Sequence, residues 1–492
     1  MHVQVSESSW PARYAIMCRH TNLPGYRGLV MPATRMESLS RRGFLACSGA
    51  LVAASWSRPD PLLAYRYQAR QQFGDLRVTE IETHDIGLEY HDWLHHVLNH
   101  YYGPLRRTVY VVHTNRGLIG LGESGSLEAE SVRNKYIGSN PFDWVGDETS
   151  LGLGTAMYDL MGQAAGVPVY KLFGQKYRSW VPVGSWTVSS HPDHMADAVK
   201  RYSARGYTWL KYHLSPFENV FDQFKAMEAV APRGFKVLLD ITMGGTNDHM
   251  FGLLDRISRS PIAGAFEDPL YEKDIQGYIE LRKKLRLPLL LHHSPLGATF
   301  EVLQGAADGY ILGHAKIGTA IRRAGLFAAA NLPFMLQNVG GSITRTMTVH
   351  MQSAFKTASQ HFHSDTETWK HDVVDERPEP INGFLRVPEN PGLGVTLNRE
   401  KLEQLKAVKL PEKERWIIKT KFDNGTTMYN LANPKESIFM VRPDRRRLIP
   451  MSYDSPLTTE YWDEDGSPAY KQMFERLEKE KMVLEKAPGS RR

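Results

Sequence analysis

The chain has 492 residues, of which 42% are hydrophobic and 23% are charged, and its formal net charge is +6. This composition excludes a disordered or fibrous protein, and the length allows two or three globular domains. Six arginines against two glutamates in residues 1–57 supply most of the positive charge. The rest of the chain is close to neutral, so a nucleic-acid partner is not expected.

Residues 1–63 are predicted to be a leader. Arg41 and Arg42 precede Phe44 and an uncharged run over residues 45–56, a pattern that resembles a twin-arginine export signal. The alternative is a short amphipathic N-terminal helix. The export signal predicts a periplasmic or other extracytoplasmic location. Both cysteines, Cys18 and Cys47, lie in the leader, so no disulfide is expected in the mature chain.

No other apolar run approaches membrane-spanning length, so no membrane span is expected. From residue 76 the pattern alternates between apolar and polar residues, as in half-buried strands. Three strands are predicted over Val78–Ile86, Thr108–His113 and Leu118–Glu123, and a helix over Leu151–Gly166. Residues 76–178 therefore form a small α+β domain built on a three-stranded meander.

From Val181 onward, strand-like and helix-like segments alternate. Eight strand-like segments in about 180 residues predict a (β/α) barrel rather than an open sheet. These segments are Val181–Trp186, Trp209–His213, Val237–Ile241, Ala263–Glu267, Leu289–His293, Tyr310–His314, Phe334–Asn338 and Gln360–His363.

Three of these strands end in an acid or a histidine at almost equal steps. Asp240, Glu267 and His293 are separated by 27 and 26 residues, about one strand-plus-helix unit each. Equal steps place equivalent residues at one height on consecutive strands. The carboxyl-terminal strand ends carry the chemistry of barrel enzymes, so these three side chains are predicted to bind a divalent metal.

Residues 411–492 form a different segment, to which no chemistry is assigned. Trp416–Phe422 and Met428–Leu431 flank the turn Asp423-Asn424-Gly425, which predicts a hairpin. Ser467 and Pro468 are a good N-cap and first position for a helix running to about Leu484.

Several scaffold motifs resemble the enolase superfamily, in its mandelate racemase and muconate-lactonizing branch. The motifs are Ala156–Leu160, Gly166–Gly174, Asn382–Phe384 and Pro391–Val395. The resemblance implies an N-terminal α+β capping domain (76–178), a modified TIM barrel of the (β/α)₇β type (179–385), a return to the cap (386–410) and an extra C-terminal extension (411–492). It also implies a small carboxylate substrate bound to Mg²⁺, and removal of the proton α to the carboxylate.

The family's chemical positions are matched only in part. Asp240 and Glu267 fall on the first two metal positions, and His293 falls on the third, which is normally an acid. One divalent metal is expected, either Mg²⁺ or, because of the nitrogen ligand, Mn²⁺, Fe²⁺ or Zn²⁺. The family's Lys-x-Lys is here Lys211-Tyr212-His213.

The positions that face the Lys-x-Lys strand across the barrel also depart from the family. Gly313 and Gln337 replace the Asp and His of the dyad that many relatives use, and His363 replaces an acid on strand eight. Racemisation by two bases is therefore disfavoured.

Two interpretations of these departures stay open, beside a zinc-dependent hydrolase on an unrelated barrel. In the first, the protein is a lyase or isomerase, for example an acid-sugar dehydratase or a cycloisomerase. His213 is then the base, Lys211 stabilises charge, and His314 is the other proton-transfer candidate. In the second, the protein binds a carboxylate or sugar acid without catalysis.

The remaining predicted contacts concern substrate binding and assembly. Gln337 and His363 are expected to bind substrate from the barrel, and His95 and Tyr101 from the segment Glu89–Gly103, which is expected to close over the site. The alternative for that segment is an ordinary surface loop. Only one of the adjacent His292 and His293 can face inward, and the spacing favours His293. Relatives are commonly oligomeric, so a homo-oligomer is one expected state.

Overall fold

The computed structural model describes residues 73–242, 247–294, 297–410, 416–431 and 454–486. The predicted leader, with its paired arginines and both cysteines, lies outside these described residues. Within the described ranges, no helix combines the length and the apolar character that crossing a membrane requires.

The N-terminal part is an antiparallel three-stranded sheet in the order β1-β2-β3, covered by helices. Gly122 in β3 and Gly152 in α3 let the strand and the helix approach backbone to backbone, because a Cβ at either position would lie under 3 Å from a carbonyl oxygen. The elements are β1 (Val78–Leu88), α1 (Asp92–Tyr101), β2 (Leu105–Thr114), β3 (Ile119–Ser124), α2 (Glu130–Arg133), α3 (Leu151–Ala165) and α4 (Tyr170–Phe173).

A curled sheet of seven parallel strands, β5 to β11, follows in sequential order. Its strands alternate with helices, and both of its faces are covered, so the strands are nearly continuous apolar runs. The elements are β4 (Trp180–Pro182), β5 (Ser185–Val188), α5 (Pro192–Ala204), β6 (Trp209–His213), α6 (Val220–Glu228), β7 (Lys236–Asp240), α7 (Asn247–Ile257), β8 (Ala263–Glu267), α8 (Ile275–Lys284), β9 (Leu289–Leu291), α9 (Thr299–Gln304), β10 (Gly309–Gly313), α10 (Ile317–Ala329), β11 (Phe334–Gln337) and α11 (Ser342–Ala354).

The eighth position of the barrel is a short closing segment rather than a full strand. Phe362 bridges to Val183 on one side, and His363 bridges to Gln337 on the other, both in parallel orientation. These bridges close the sheet, and the predicted (β/α)₇β barrel with an α+β cap is confirmed.

The chain then returns to the N-terminal part. Strand β12 (Phe384–Arg386) pairs with β4, and α12 (Arg399–Lys406) packs near β1. The buried carboxylate of Asp159 in α3 accepts hydrogen bonds from the backbone N–H of Leu121 (3.0 Å) and of Leu393 (2.9 Å). One side chain therefore joins β3 to the returning segment.

The C-terminal extension forms its own four-stranded sheet, in the order β15-β13-β14-β16. The predicted hairpin is present, and the helix begins as predicted, with the Ser467 side chain accepting from the Tyr470 N–H. It ends at Glu480 rather than Leu484, because Lys481 adopts a left-handed φ of 68°. The elements are β13 (Trp416–Phe422), β14 (Thr426–Leu431), β15 (Leu457–Asp463), α13 (Pro468–Glu480) and β16 (Met482–Lys486).

Most of the predicted closing loop Glu89–Gly103 is helical, which corrects that expectation. Leu94, Val97, Leu98 and Tyr101 are buried at helical spacing, and they anchor α1 to the core. The extension packs against the same region and against the loop after β6, where Asn219 Nδ2 donates to the Ser455 carbonyl over 2.7 Å.

Candidate active site at the carboxyl ends of the barrel strands

A cavity of about 390 Å³ lies at the carboxyl ends of the barrel strands. Aromatic side chains form much of its wall, and four histidines and one aspartate supply its imidazole and carboxyl groups. The lining residues are Tyr90, Tyr102, Gly103, Pro104, Leu105, Trp186, His213, Thr242, His292, His293, His314, Gln337, Val339, Asp365, Thr368 and Trp369. A volume of this size suits a small molecule.

Asp240 and Glu267 lie side by side, as their sequence spacing predicts. They are partners in the parallel register of β7 and β8, and both are almost fully buried. Lys211, on β6 and without exposed surface, places its ammonium between them. Its Nζ lies 3.0 Å from Asp240 Oδ2, 2.7 Å from Glu267 Oε2 and 2.6 Å from Gln337 Oε1.

The electrostatics of this buried cluster follow from its geometry. Burial by itself opposes charge on Lys211, but the carboxylates of Asp240 and Glu267 outweigh it and raise the pKa of Lys211. Burial likewise opposes ionisation of Asp240, but the charges of His213 and Lys211 hold the pKa of Asp240 well below its ordinary value. Burial and the charge of Asp240 raise the pKa of Glu267. The cluster is therefore held together by an ion pair between Lys211 and Asp240.

His213 lines the cavity and is oriented by Asp240. Its Nδ1 lies 3.1 Å from Asp240 Oδ2 and 3.2 Å from Thr242 Oγ1. The Thr242 hydroxyl donates its proton to Asp240 Oδ1 over 2.7 Å, so toward His213 its oxygen can only accept. The proton between His213 and Thr242 is therefore carried by His213 Nδ1. In the neutral ring, Nε2 is then the basic nitrogen.

His292, and not His293, is the inward-facing member of the adjacent pair, which corrects the predicted choice. His292 Nδ1 lies 3.0 Å from Glu267 Oε1 and its side chain is 12% exposed. His293 is 47% exposed, and its Nδ1 hydrogen-bonds to the Asp268 carboxylate. Strand β9 ends at Leu291, so the alternation of a strand no longer governs which of the two histidines faces inward.

The two histidines also differ in their protonation. Burial, the largest cause, lowers the pKa of His292 to about 3. The hydrogen bond to Asp268, the largest cause at the neighbouring residue, raises the pKa of His293. His292 is therefore a neutral imidazole at neutral pH.

The three predicted metal ligands do not converge on one point. Within the described ranges, two groups of at least three His, Cys, Asp or Glu side chains bring their ligand atoms within 4.8 Å of one another. Those groups are Asp268, His292 and His293, and His96, His100 and Asp463. Neither group contains Asp240 or Glu267.

The residues at the barrel centre therefore do not fit the superfamily's divalent ion in their present arrangement. The Lys211 ammonium lies between Asp240 and Glu267, and His293 bonds elsewhere. The ammonium places a positive charge beside the two carboxylates, as a metal ion would. Unlike a metal ion, it has no coordination position that a substrate oxygen could occupy.

The other predicted contacts divide between the cavity and its surroundings. Gln337 and His314 line the cavity, and burial, the largest cause, lowers the pKa of His314 to about 4. His363 is buried in the closing segment, in space that a Cβ on Gly184 would otherwise occupy, and it does not line the cavity.

The two contacts predicted from the segment before β2 need correction. His95 is exposed, bonds to Asn99 over 2.8 Å and lies outside the cavity wall. Tyr101 is buried with its ring centroid 6.2 Å from that of His213, while its neighbour Tyr102 lines the cavity. Tyr90, Tyr102 and Gly103 of this segment line the cavity, but His95 does not.

Asp365 is a cavity residue that the sequence analysis missed. Burial, the largest cause, and the nearby Glu367 raise the pKa of Asp365 to about 8. Asp365 therefore carries its proton at neutral pH. No local sequence motif identifies Asp365, because its raised pKa results from burial in the folded closing segment.

Several strand ends at the cavity carry backbone strain. Thr242 after β7, Asp268 after β8 and His314 after β10 have positive φ values of 47°, 43° and 48°. Non-glycine residues adopt this conformation at a cost of order 1–3 kcal/mol each, and such strain clusters at functional sites.

Comparison with known proteins agrees with the fold. The family described as "Enolase C-terminal domain-like" matches residues 194–401. A D-gluconate dehydratase from Thermoproteus tenax is 23% identical over 54% of this chain, which aligns with 58% of that relative's length. An N-succinyl-L-Arg/Lys racemase from Bacillus cereus is 24% identical over 62% of this chain and 91% of its own.

A solved enolase structure from Pseudomonas fluorescens, with bound magnesium, potassium and tartrate, has a TM-score of 0.57 at 17% identity. It covers 68% of this chain and 92% of its own.

Together, the cap, the closed parallel barrel and the polar cavity at the strand ends define the class of capped (β/α)₇β barrel proteins. Within that class, residues 194–401 match the family described as "Enolase C-terminal domain-like", and the similar proteins support the enolase superfamily. Its relatives include dehydratases, racemases and cycloisomerases.

Proposed function

We propose that this protein is a lyase or isomerase that removes a proton α to the carboxylate of a small acid, with an acid sugar as the substrate class. The observation that carries the proposal is the contact between His213 and Asp240 at the cavity wall, where His213 Nδ1 lies 3.1 Å from Asp240 Oδ2. The dehydratases among the relatives support the substrate class.

His213 is the base in this proposal. The Asp240 carboxylate fixes the proton on Nδ1 and stabilises the imidazolium that forms when Nε2 accepts the substrate proton. Of this pair, His213 lines the cavity and can reach a substrate, whereas Asp240 lies behind the cavity wall.

Asp365 supplies the acid for a β-elimination. The α-C–H bond breaks and its proton passes to His213 Nε2, a C=C bond forms, and the C–O bond of the β-hydroxyl breaks. The Asp365 proton joins the leaving hydroxyl, and the products are water and an enol, which becomes a 2-oxo acid. Two groups with different proton affinities in one cavity suit acid and base roles.

Lys211 is a positioning residue whose ammonium supplies positive charge at the centre of the barrel. It contacts no cavity space itself, but it donates to Gln337 Oε1 over 2.6 Å. This contact orients the Gln337 amide with its oxygen toward Lys211. It also polarises the amide N–H groups of Gln337, which donate to the carboxylate of the substrate. The developing negative charge is thereby stabilised through Gln337.

Proton exchange in deuterium oxide tests the proposal. The purified protein is incubated with a panel of acid sugars, and NMR follows the loss of the α-proton and the formation of 2-oxo acid. His213→Asn is expected to slow exchange at least 100-fold, because a general base contributes about 10²–10⁴-fold, while binding of the same acid persists.

The control is His194→Asn, an exposed histidine on α5 outside the cavity wall. Unchanged exchange in the His213 variant would contradict the assignment of the base. Binding of an acid sugar with no exchange and no product, in the unaltered protein, would instead favour the non-catalytic binding protein.

We also propose that the chain is exported through the twin-arginine route, on the strength of Arg41, Arg42 and the uncharged run that follows. Replacing both by lysine is expected to retain the protein in the cytoplasm, as measured by cell fractionation. Arg35→Lys, upstream of the motif, is the matched control and leaves export unchanged. Export of the doubly substituted protein would contradict the proposal.

A further inference from the structure

A second polar cluster, remote in sequence from the barrel strands, joins α1 to the C-terminal extension. His96 and His100 lie one turn apart on α1, and Asp463 ends β15. His100 Nε2 lies 2.5 Å from Asp463 Oδ1, and His96 Nε2 lies 3.9 Å from Asp463 Oδ2. The three ligand atoms lie within 4.8 Å of one another.

The His100 ring is oriented by a backbone carbonyl. Its Nδ1–H donates to the His96 carbonyl oxygen over 2.5 Å, so Nε2 carries the lone pair of the neutral ring. That nitrogen faces a carboxylate oxygen, and two acceptors at such a distance need a proton or a cation between them. Metal-binding histidines commonly donate their second ring N–H to a carbonyl in this way.

His96 supplies a second imidazole to the cluster. Histidines at positions i and i+4 of a helix face the same side, which is how helical zinc sites present two imidazoles.

Aromatic rings hold the cluster in place. Tyr461 stacks on His100 with a centroid distance of 4.6 Å and on His96 with 5.3 Å. Trp416 packs edge-on against His100 at 4.8 Å. Both aromatic residues belong to the extension sheet, so the ligands from α1 are packed by the same element that supplies Asp463.

We propose that His96, His100 and Asp463 bind one divalent transition-metal ion of the zinc type, with water completing the coordination. Donor atoms about 2.0–2.1 Å from a tetrahedral ion lie roughly 3.3 Å apart. To reach this geometry, the distance between His100 and Asp463 (2.5 Å) must increase and that between His96 and Asp463 (3.9 Å) must decrease, each by less than about 1 Å. Two imidazoles and one carboxylate are the donor set that favours Zn²⁺ over Mg²⁺.

An ion at this site would hold part of the cavity wall in place. Helix α1 leads directly into Tyr102, Gly103, Pro104 and Leu105, which line the cavity. An ion bound by both α1 and β15 therefore fixes that wall to the extension. This site is separate from the barrel centre and does not depend on the reaction proposed above.

Zinc binding to the full-length protein tests the inference without an activity assay. Protein freed of metal by a chelator is dialysed against ZnCl₂, and the bound zinc is measured by mass spectrometry. One zinc per chain is expected, with at least a tenfold weaker affinity in His96→Ala and in Asp463→Asn. Co²⁺ is expected to give the visible absorption of tetrahedral coordination in the unaltered protein and to lose it in both variants.

The matched control is His95→Ala, which removes an exposed imidazole from the same helix and is expected to leave zinc binding unchanged. His96 and Asp463 are both partly exposed, so their variants are expected to fold. Zinc binding that is absent in the unaltered protein, equal in all variants, or lost equally in the His95 variant would overturn the inference.

Discussion

The imidazole of His292 fills the space that a side chain at position 313 would need. A Cβ built on Gly313 would lie well under 3 Å from His292 Nε2. The resemblance to the enolase superfamily predicts an aspartate at this position, and Gly313 instead leaves the room that the inward-facing His292 occupies.

Restoring a side chain at position 313 is expected to destabilise the protein. Gly313→Asp forces His292 out of its place, and overpacking of this kind costs about 1–3 kcal/mol. In the double variant with His292→Gly, part of the loss is recovered, with a coupling energy of about 0.5–3 kcal/mol. Urea unfolding measures both quantities.

Gly325→Asp is the matched control for that experiment. This glycine is exposed on α10, and no atom lies within 4 Å of its built Cβ, so the change is expected to stay within about 0.5 kcal/mol. Strict additivity of the Gly313 and His292 changes would show that the two positions are not coupled.

Removing the buried ammonium is expected to cost far more than removing an exposed one. Lys211→Met leaves the ionised Asp240 without its partner, and breaking a buried ion pair in this way costs about 3–5 kcal/mol. Adding Asp240→Asn recovers part of that loss. Lys236→Met, which removes an exposed ammonium from the adjacent strand, provides the comparison.

Urea unfolding of these three variants decides the point. A loss below about 1 kcal/mol for Lys211→Met would mean that the ammonium does not compensate Asp240 in solution.

The rate of the proposed elimination is expected to fall as the pH rises through about 8. The pKa of Asp365 is raised to about 8 by burial and by Glu367, so the proton it donates is present below that pH and lost above it. In Asp365→Asn the rate is expected to be at least 100-fold lower, with no fall at alkaline pH. A pH–rate profile of both proteins measures this, and an unchanged alkaline limb in the variant would assign it to another group.

Magnesium is expected to have no effect on the reaction. Because Lys211 lies between the carboxylates that would hold the ion, protein treated with a chelator is expected to exchange the α-proton at the same rate, within twofold, with or without added Mg²⁺. The measurement is made at fixed zinc concentration, so that the site on α1 does not vary. A rate that appears only with Mg²⁺ would show that the ion displaces the ammonium.

The sequence predicted what depends on periodicity. Equal steps between strand ends placed Asp240 and Glu267 at one height, and the structure pairs them in register. The strand pattern also predicted the barrel, because apolar runs and turn residues carry that information locally. The position of the Lys211 ammonium between two carboxylates was not predicted, since it depends on contacts among side chains from three strands that periodicity does not specify.

Two errors have different causes. Helix α1 has a readable signal in Leu94, Leu98 and Tyr101, which recur at helical spacing, so the prediction of a loop for this segment was wrong. The choice between His292 and His293 had no such signal, because β9 ends one residue before them and the Asp268 carboxylate, from the neighbouring strand end, decides which one turns outward. Asp365 likewise acquires its acidity from neighbours that are distant in sequence.

Asp463 follows His100 by 363 residues in the sequence, yet it contacts a helix that borders the cavity. During synthesis, the barrel and cap are complete some 50 residues before β15 emerges, roughly the span from α12 to β15. The cavity thus acquires this part of its boundary from a segment that is synthesised after the whole barrel and cap.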